Sequence, residues 1–137
     1  MHKHFAVAAG ALALAAAHPA AAQGGGFGTA GTVPFALQGR VYYIPDSSDG
    51  LPDFSRLRPV GTISTTVLNI QPQSFTVGFP GVTDRFEWFA LDYSGRIMLP
   101  QAGTYTFRLT SDDGSKLFID GREVIDNDGV HRVDWKD

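Results

Sequence analysis

The clearest hydrophobic pattern of the chain is an alternation in its last third. Tyr105, Phe107 and Leu109 are separated by single polar residues. This is the period-two pattern of a strand with one buried face. We therefore predict a strand here whose three apolar side chains face the core.

Two turn signals follow this strand. Residues 111–114 (Ser-Asp-Asp-Gly) join two carboxylates to a residue that tolerates positive φ, and Asp120-Gly121 is typical of a tight hairpin. A strand with Leu117 on its buried face is predicted between the two turns, and another returns through Ile125. The sequence thus predicts a meander with an acidic turn at one end.

Further strand patterns precede the meander. They cover residues 39–44, a short stretch near 75–79, and 85–99, the last as two runs of which the second contains Ile97 and Leu99. Glycine and proline separate them, and no helical periodicity of ten residues or more occurs outside the N-terminal region. We predict an all-β fold, an antiparallel β-sandwich or barrel.

The N-terminal region predicts an export signal. Residues 1–22 combine a short basic start, an apolar run over 5–17 and small residues before an expected cleavage after Ala22. A transmembrane anchor is the alternative, but the apolar run is shorter than the about 20 residues needed to span a bilayer. The glycine-rich residues 23–36 are expected to form a flexible leader, which leaves 37–137 as one domain.

Twelve positions at fixed spacing in the meander carry a resemblance to a known family. They are Gly103, Tyr105, Phe107, Ser111, Asp112, Asp113, Gly114, Leu117, Ile119, Asp120, Gly121 and Val124. Their pattern resembles that of the anthrax protective antigen fourteen-kilodalton (PA-14) domain family, and residues 51–63, with a Leu-Pro stretch and a Gly-x-Ile turn, resemble the same family. The resemblance implies a lectin-like β-sandwich module of the kind found in adhesins, toxins and glycosidases.

The resemblance also implies a ligand site at the acidic turn. In lectin-type members the paired aspartates hold calcium through an unusual cis peptide, and the ion binds sugar hydroxyls. On this chain the metal ligands would be Asp112 and Asp113, and Gly114 and Asn127 would join them in the sugar site. The alternative reading is that the two aspartates only shape the turn by hydrogen bonds to the backbone.

Two aspartates do not complete a calcium site. Calcium takes about six to eight oxygen ligands, so others must come from neighbouring loops. The candidates are Asp46, Asp49, Asn127 and Asp128.

The C-terminal end departs from the family pattern. Members continue beyond the meander through further strands that complete the ligand site, whereas the sequence stops at Asp137. The resemblance therefore implies that the final strands are missing and that a sheet edge is exposed.

Charge and composition narrow the function classes. The net charge is −3, and the whole acidic excess follows Ser111, with eight acidic against four basic residues. Nucleic acid is an unfavourable partner for such a chain, because phosphate binding needs a basic face. With no cysteine the chain has no disulfide, while 43% hydrophobic residues suffice for one core.

The motifs favour binding over catalysis. Glycoside hydrolysis uses two carboxylates that flank the bond about 5 Å or more apart, and adjacent aspartates in a polar turn have no evident pocket for that role. No nucleophile or phosphate-loop motif is present. We therefore expect a non-enzymatic carbohydrate-binding module, exported to the periplasm, cell surface or medium. It is expected to recognise glycans through the Asp112-Asp113 turn, with Ca²⁺ as the candidate cofactor. The alternatives are a structural or protein-binding module of the cell envelope, or an accessory domain fragment of a glycoside hydrolase.

Overall fold

The structure is a computed structural model that describes residues 3–8, 13–15, 36–70, 74, 76, 79–82, 84–97, 99 and 101–137. Within these residues it contains nine strands and one turn of 3₁₀ helix, Phe54–Arg56. The strands are β1 (Lys3–Ala8), β2 (Ala13–Ala15), β3 (Leu37–Tyr43), β4 (Gly61–Thr65), β5 (Phe89–Gly95), β6 (Arg108–Ser111), β7 (Ser115–Ile119), β8 (Arg122–Asn127) and β9 (Asp134–Lys136).

The strands form two sheets. The larger has the order β4-β3-β5-β1-β7-β8, and the smaller has the order β2-β6-β9. Every pairing between these strands is antiparallel. The prediction of an all-β fold built from antiparallel sheets is confirmed.

Strand β5 lies at the centre of the core. Its first five residues, 89–93, are all buried, including those that the alternating pattern assigned to solvent. A strand paired on both sides and covered on both faces is buried at every position, so simple alternation is lost. The core also takes Leu109 from the smaller sheet and Leu117 and Ile125 from the larger one.

The hairpin between β7 and β8 follows its sequence signal. Asp120 and Gly121 have φ values of 54° and 75°. Positive φ at both central residues is the requirement of a type I′ turn, which matches the twist of two antiparallel strands. The pairing shifts register between Leu117 and Phe118, so the strand bends there.

The strand predicted over Tyr105, Phe107 and Leu109 is only partly correct. Strand β6 begins at Arg108, and the side chain of Tyr105 is 39% exposed with its hydroxyl donating to the carbonyl of Gln101. Phe107 is half-buried and packs against the core, and only Leu109 is fully inside. The prediction that Tyr105 faces the core is wrong because no strand among the described residues pairs with this segment before Arg108.

Two upstream predictions have different outcomes. Most of the strand predicted near 75–79 lies outside the described residues. Phe79, which is described, makes an isolated bridge to Val82. The second run of 85–99 is wrong, because Ile97 and Leu99 follow the end of β5 and belong to no strand.

The N-terminal strands fall within the predicted export signal. Strand β1 pairs with β5 over six residues and with β7 over three, and β2 pairs with β6. Cleavage after Ala22 would remove both strands, and it stays a prediction. Residues 16–35, which include most of the predicted leader, lie outside the described part of the chain. No helix in the described residues has the length and apolar character needed to cross a membrane.

Leu109→Ala is expected to lower the free energy of unfolding by about 2–5 kcal/mol, because it leaves a cavity where a side chain only 2% exposed is packed. Tyr105→Ala is the control, because the Tyr105 side chain lies largely outside the core. Urea denaturation of the two variants compares their losses of unfolding free energy, and the loss should be smaller in Tyr105→Ala. Equal losses from the two changes would show that this assignment of inside and outside is wrong.

Candidate functional site

A buried polar cluster holds the acidic turn, residues 111–114, on its core side. Ser111, Ser115 and Asn127 are each at most 2% exposed. The hydroxyl oxygens of the two serines lie 2.7 Å apart, and the Asn127 amide donates to Ser111 Oγ at 3.1 Å. These bonds join the ends of β6, β7 and β8, because buried polar groups must find partners. The Asn127 side chain, predicted as a ligand residue, thus hydrogen-bonds within the scaffold.

His131 makes two hydrogen bonds to Asp113 of the acidic turn. The Asp113 amide donates to the His131 carbonyl at 3.0 Å, and the His131 amide donates to Asp113 Oδ1 at 3.3 Å. The imidazole nitrogens lie 3.0 Å from the carbonyl of Asn127 and 2.8 Å from that of Arg132. Because a carbonyl only accepts, both contacts are hydrogen bonds only when the imidazole carries two protons.

This arrangement shifts two pKa values upward. The carbonyl oxygens of Asn127 and Arg132 raise the pKa of His131, with help from the negative charges of Asp113 and Asp134. Burial raises the pKa of Asp113, and the neighbouring charge of Asp112 adds to the effect, while the His131 amide opposes it. Both groups therefore hold a proton more firmly in the folded state than in the unfolded chain.

Stability is expected to fall as the pH rises. A group whose folded-state pKa is raised contributes stability that is complete below its unfolded-state pKa and is lost as the pH passes the folded-state pKa. For His131 the loss begins near 6.5, and for Asp113 it begins near 3.8. Melting curves between pH 5.5 and 8 should show a decrease that His131→Gln largely removes. An equal decrease in the variant would contradict this role of His131.

Asp128 connects the acidic turn to the loop after β3. Its Oδ1 accepts the amide of Leu51 at 2.8 Å and the amide of Gly129 at 2.9 Å. A Cβ placed on Gly114 would lie 2.5 Å from this oxygen, and one on Gly50 would lie 3.1 Å from it. The two glycines therefore permit the carboxylate to sit between the loop and the turn.

A small groove opens beside this junction, and we call it the turn groove. It has a volume of about 130 Å³. Its lining includes Gly50, Glu87, Trp88, Asp113, Gly114 and Val130. The groove is thus bounded by the loop after β3, the residues that lead into β5, and the acidic turn.

Trp88 is the most unusual residue of the turn groove. Its φ is 58°, a left-handed conformation that is uncommon for a bulky side chain, and its surface is 36% exposed. The Trp88 carbonyl accepts the amide of Ile44 and the guanidinium of Arg85, both at 3.0 Å. Strained residues that are fixed by their surroundings cluster at ligand sites.

Trp88 was not among the site residues predicted from the sequence. The only available signal was the run of large residues at 86–89 (Phe-Glu-Trp-Phe), which lacks the alternation of a half-buried strand. A positive φ at tryptophan cannot be read from sequence, because the residue type argues against it.

The predicted calcium ligands are only partly brought together. Asp112 is exposed, and Asp46 and Asp49 are exposed residues of the loop after β3. The Asp113 and Asp128 carboxylates accept backbone amides, and Lys116 Nζ lies 3.9 Å from Asp128 Oδ2.

The carboxylates of the described residues do not gather around one point. These residues contain no group of three or more acidic or histidine side chains that could hold a metal ion. They also contain no cis peptide bond, so the cis peptide of the lectin-type pattern is not found here. Calcium binding at Asp112 and Asp113 stays a prediction.

A larger open cavity of about 520 Å³ lies away from the turn groove, at the opposite end of β7 and β8. Its lining includes Tyr105, Phe107, Arg122 and Val124. We place the site at the turn groove despite its smaller volume, because the groove combines a fixed, strained tryptophan with carboxylates.

The family model of the PA14 domain matches residues 39–136, which is more than half of the chain. The chain belongs to the PA14 domain family. Comparisons with curated proteins and with solved structures gave no match. The resemblance seen in the sequence is confirmed, and the matched range contains the whole turn groove of this PA14 domain.

PA14 domains are generally carbohydrate-binding or accessory modules, and they typically occur in extracellular or cell-surface proteins. In this PA14 domain the acidic turn, its buried serines and its histidine contact all lie in the matched range.

Proposed function

We propose that this PA14 domain is an exported carbohydrate-binding module whose ligand occupies the turn groove. The observation that carries the proposal is the position of Trp88, held in a strained conformation beside Asp113 and Gly114. The turn groove has a volume of about 130 Å³. Pockets that enclose drug-sized molecules are larger, at about 300–1,000 Å³. The groove therefore suits contact with a sugar ring better than burial of a whole ligand.

Trp88 supplies the apolar part of the contact. The indole is a rigid, amphipathic surface, and the C–H face of a pyranose ring is an apolar patch of similar width. The two hydrogen bonds to the Trp88 carbonyl fix its backbone before the ligand arrives. Less conformational entropy is then lost on binding, which raises affinity.

The carboxylates supply the polar part. Asp113 and Glu87 line the turn groove, and each can accept hydrogen bonds from sugar hydroxyls. Charged acceptors make such bonds stronger than neutral ones do. Gly114 contributes only its backbone to the lining of the turn groove.

A glycan array tests the proposal, with Trp88→Ala as the variant and Trp135→Ala as the matched control. Trp135 is also exposed, but it lies on β9 beside Arg108, away from the groove. Wild type and Trp135→Ala should bind the same glycans, while Trp88→Ala should bind them at least about tenfold more weakly. Equal binding by all three proteins would place the sugar site elsewhere.

The same array separates the remaining readings. Absence of binding to any glycan by the wild type would favour a structural or protein-binding module. Repetition with a chelator tests the predicted calcium dependence at Asp112 and Asp113, because only a metal-bridged contact is lost on chelation. Binding that survives the chelator would assign the aspartates to the shape of the turn.

A further inference from the structure

Trp88 lines a second cavity as well as the turn groove. This cavity has a volume of about 540 Å³, roughly four times that of the groove. The two share Ile44, Glu87 and Trp88, so they adjoin one another along these three side chains. A ligand that contacts Trp88 from the groove can therefore continue into the second cavity.

Contacts between side chains fix one wall of the second cavity. The Asp84 carboxylate accepts the hydroxyl of Tyr43, and the Arg85 guanidinium lies 4.1 Å from the centre of the Tyr43 ring. Arg85 also donates to the Trp88 carbonyl, so one side chain ties the wall to the tryptophan. Phe86, 51% exposed, adds an aromatic surface to the lining.

The charge of the lining restricts the ligand. Asp46, Asp84 and Glu87 give the second cavity three carboxylates against the single cation of Arg85. Asp113 adds a fourth carboxylate on the groove side, which Glu87 also lines. Such a surface accepts hydrogen bonds from hydroxyl and ammonium groups and repels carboxylate or sulfate groups.

We propose, on the basis of the carbohydrate-binding function above, that the ligand is an oligosaccharide of at least two rings that spans Trp88. One ring lies in the turn groove, and the next lies in the second cavity. The ring in the second cavity is neutral or carries a protonated amino group, and acidic sugars are excluded from it.

Calorimetric titration of the full chain with three sets of linear sugars tests this. The probes are glucosamine, N-acetylglucosamine and galacturonic acid, each as one, two and four linked rings. Affinity for the first two sets should rise about tenfold from one ring to two, since a second ring gains contacts on the far side of Trp88. The galacturonic acid set should bind most weakly, and added salt should reduce the difference.

The matching variant is Asp84→Asn. Its control is Glu123→Gln, because Glu123 is an acidic residue on β8 that lies outside both cavities. Asp84→Asn should weaken binding of two-ring glucosamine several-fold and leave one-ring binding unchanged, whereas Glu123→Gln should change neither. Asparagine retains an oxygen that can accept the Tyr43 hydroxyl, so the wall should stay intact.

The outcomes separate this proposal from the carbohydrate-binding function itself. Equal affinity for one and two rings, or strongest binding of galacturonic acid, overturns the two-ring proposal and leaves the groove as a sugar site. Absence of binding by every probe overturns the two-ring proposal, and the glycan array then decides separately whether the groove binds any sugar. A loss of one-ring binding in Asp84→Asn would contradict the assignment of Asp84 to the second ring.

Discussion

Gly114→Ala is expected to distort the acidic turn and to abolish sugar binding together. A Cβ at this buried position would lie 2.5 Å from Asp128 Oδ1 and 3.0 Å from the Gly129 amide nitrogen. The Asp128 carboxylate cannot simply rotate away, because it accepts the amides of Leu51 and Gly129. Overpacking of this kind costs about 1–3 kcal/mol, a large share of the stability of a small domain.

Gly61→Ala is the control for this change. A Cβ on Gly61 meets no atom within 4 Å, so the same methyl group is added without a clash. Thermal melting and binding of the array ligands should therefore be close to wild type in Gly61→Ala and strongly reduced in Gly114→Ala. If Gly114→Ala melted and bound like wild type, Asp128 would not be fixed between the turn and the loop as described.

Removal of residues 1–22 is expected to loosen the centre of the larger sheet. These residues contain β1, which pairs with six residues of β5 and three of β7, and β2, which pairs with β6. Because β1 is antiparallel to both β5 and β7, those two strands are parallel to each other and cannot pair unless the sheet closes around the gap. Unpaired backbone groups in a core strand must otherwise be solvated.

Hydrogen exchange followed by mass spectrometry compares the full chain with the exported one. The intact mass of the exported chain first establishes whether cleavage occurred after Ala22. Amides in β5 and β7 should then exchange faster in the shorter chain, about tenfold for each 1.4 kcal/mol of lost protection. Amides of β4, which pairs with β3 instead, serve as the internal control. Equal exchange in β5 would show that β1 does not stabilise the sheet.

Local signals in the sequence predicted the local features of the fold. The Asp120-Gly121 hairpin and the acidic turn between β6 and β7 are determined by backbone preferences of a few adjacent residues, and both were predicted correctly. The local pattern failed to predict the exposure of Tyr105. Its alternation with Phe107 suggested burial, but burial depends on what covers a segment, and alternation carries no information about that.

The candidate site was predictable in part for the same reason. Asp113 and Gly114 line the turn groove, in agreement with the sequence-based choice of the acidic turn. Trp88 and His131 contribute through contacts with residues distant in sequence, to Ile44 and to Asp113. No spacing in one chain reveals such contacts, and the strained φ of Trp88 opposes the preference of its residue type.

Tryptophan fluorescence tests most directly whether a sugar stacks on Trp88, as proposed. The chain contains two tryptophans, so Trp135→Phe leaves Trp88 as the sole emitter. Titration of this variant with the best array ligand should change the emission along a saturable curve whose midpoint equals the dissociation constant from calorimetry. Binding that is seen by calorimetry but leaves the Trp88 emission unchanged would show that the sugar does not stack on Trp88.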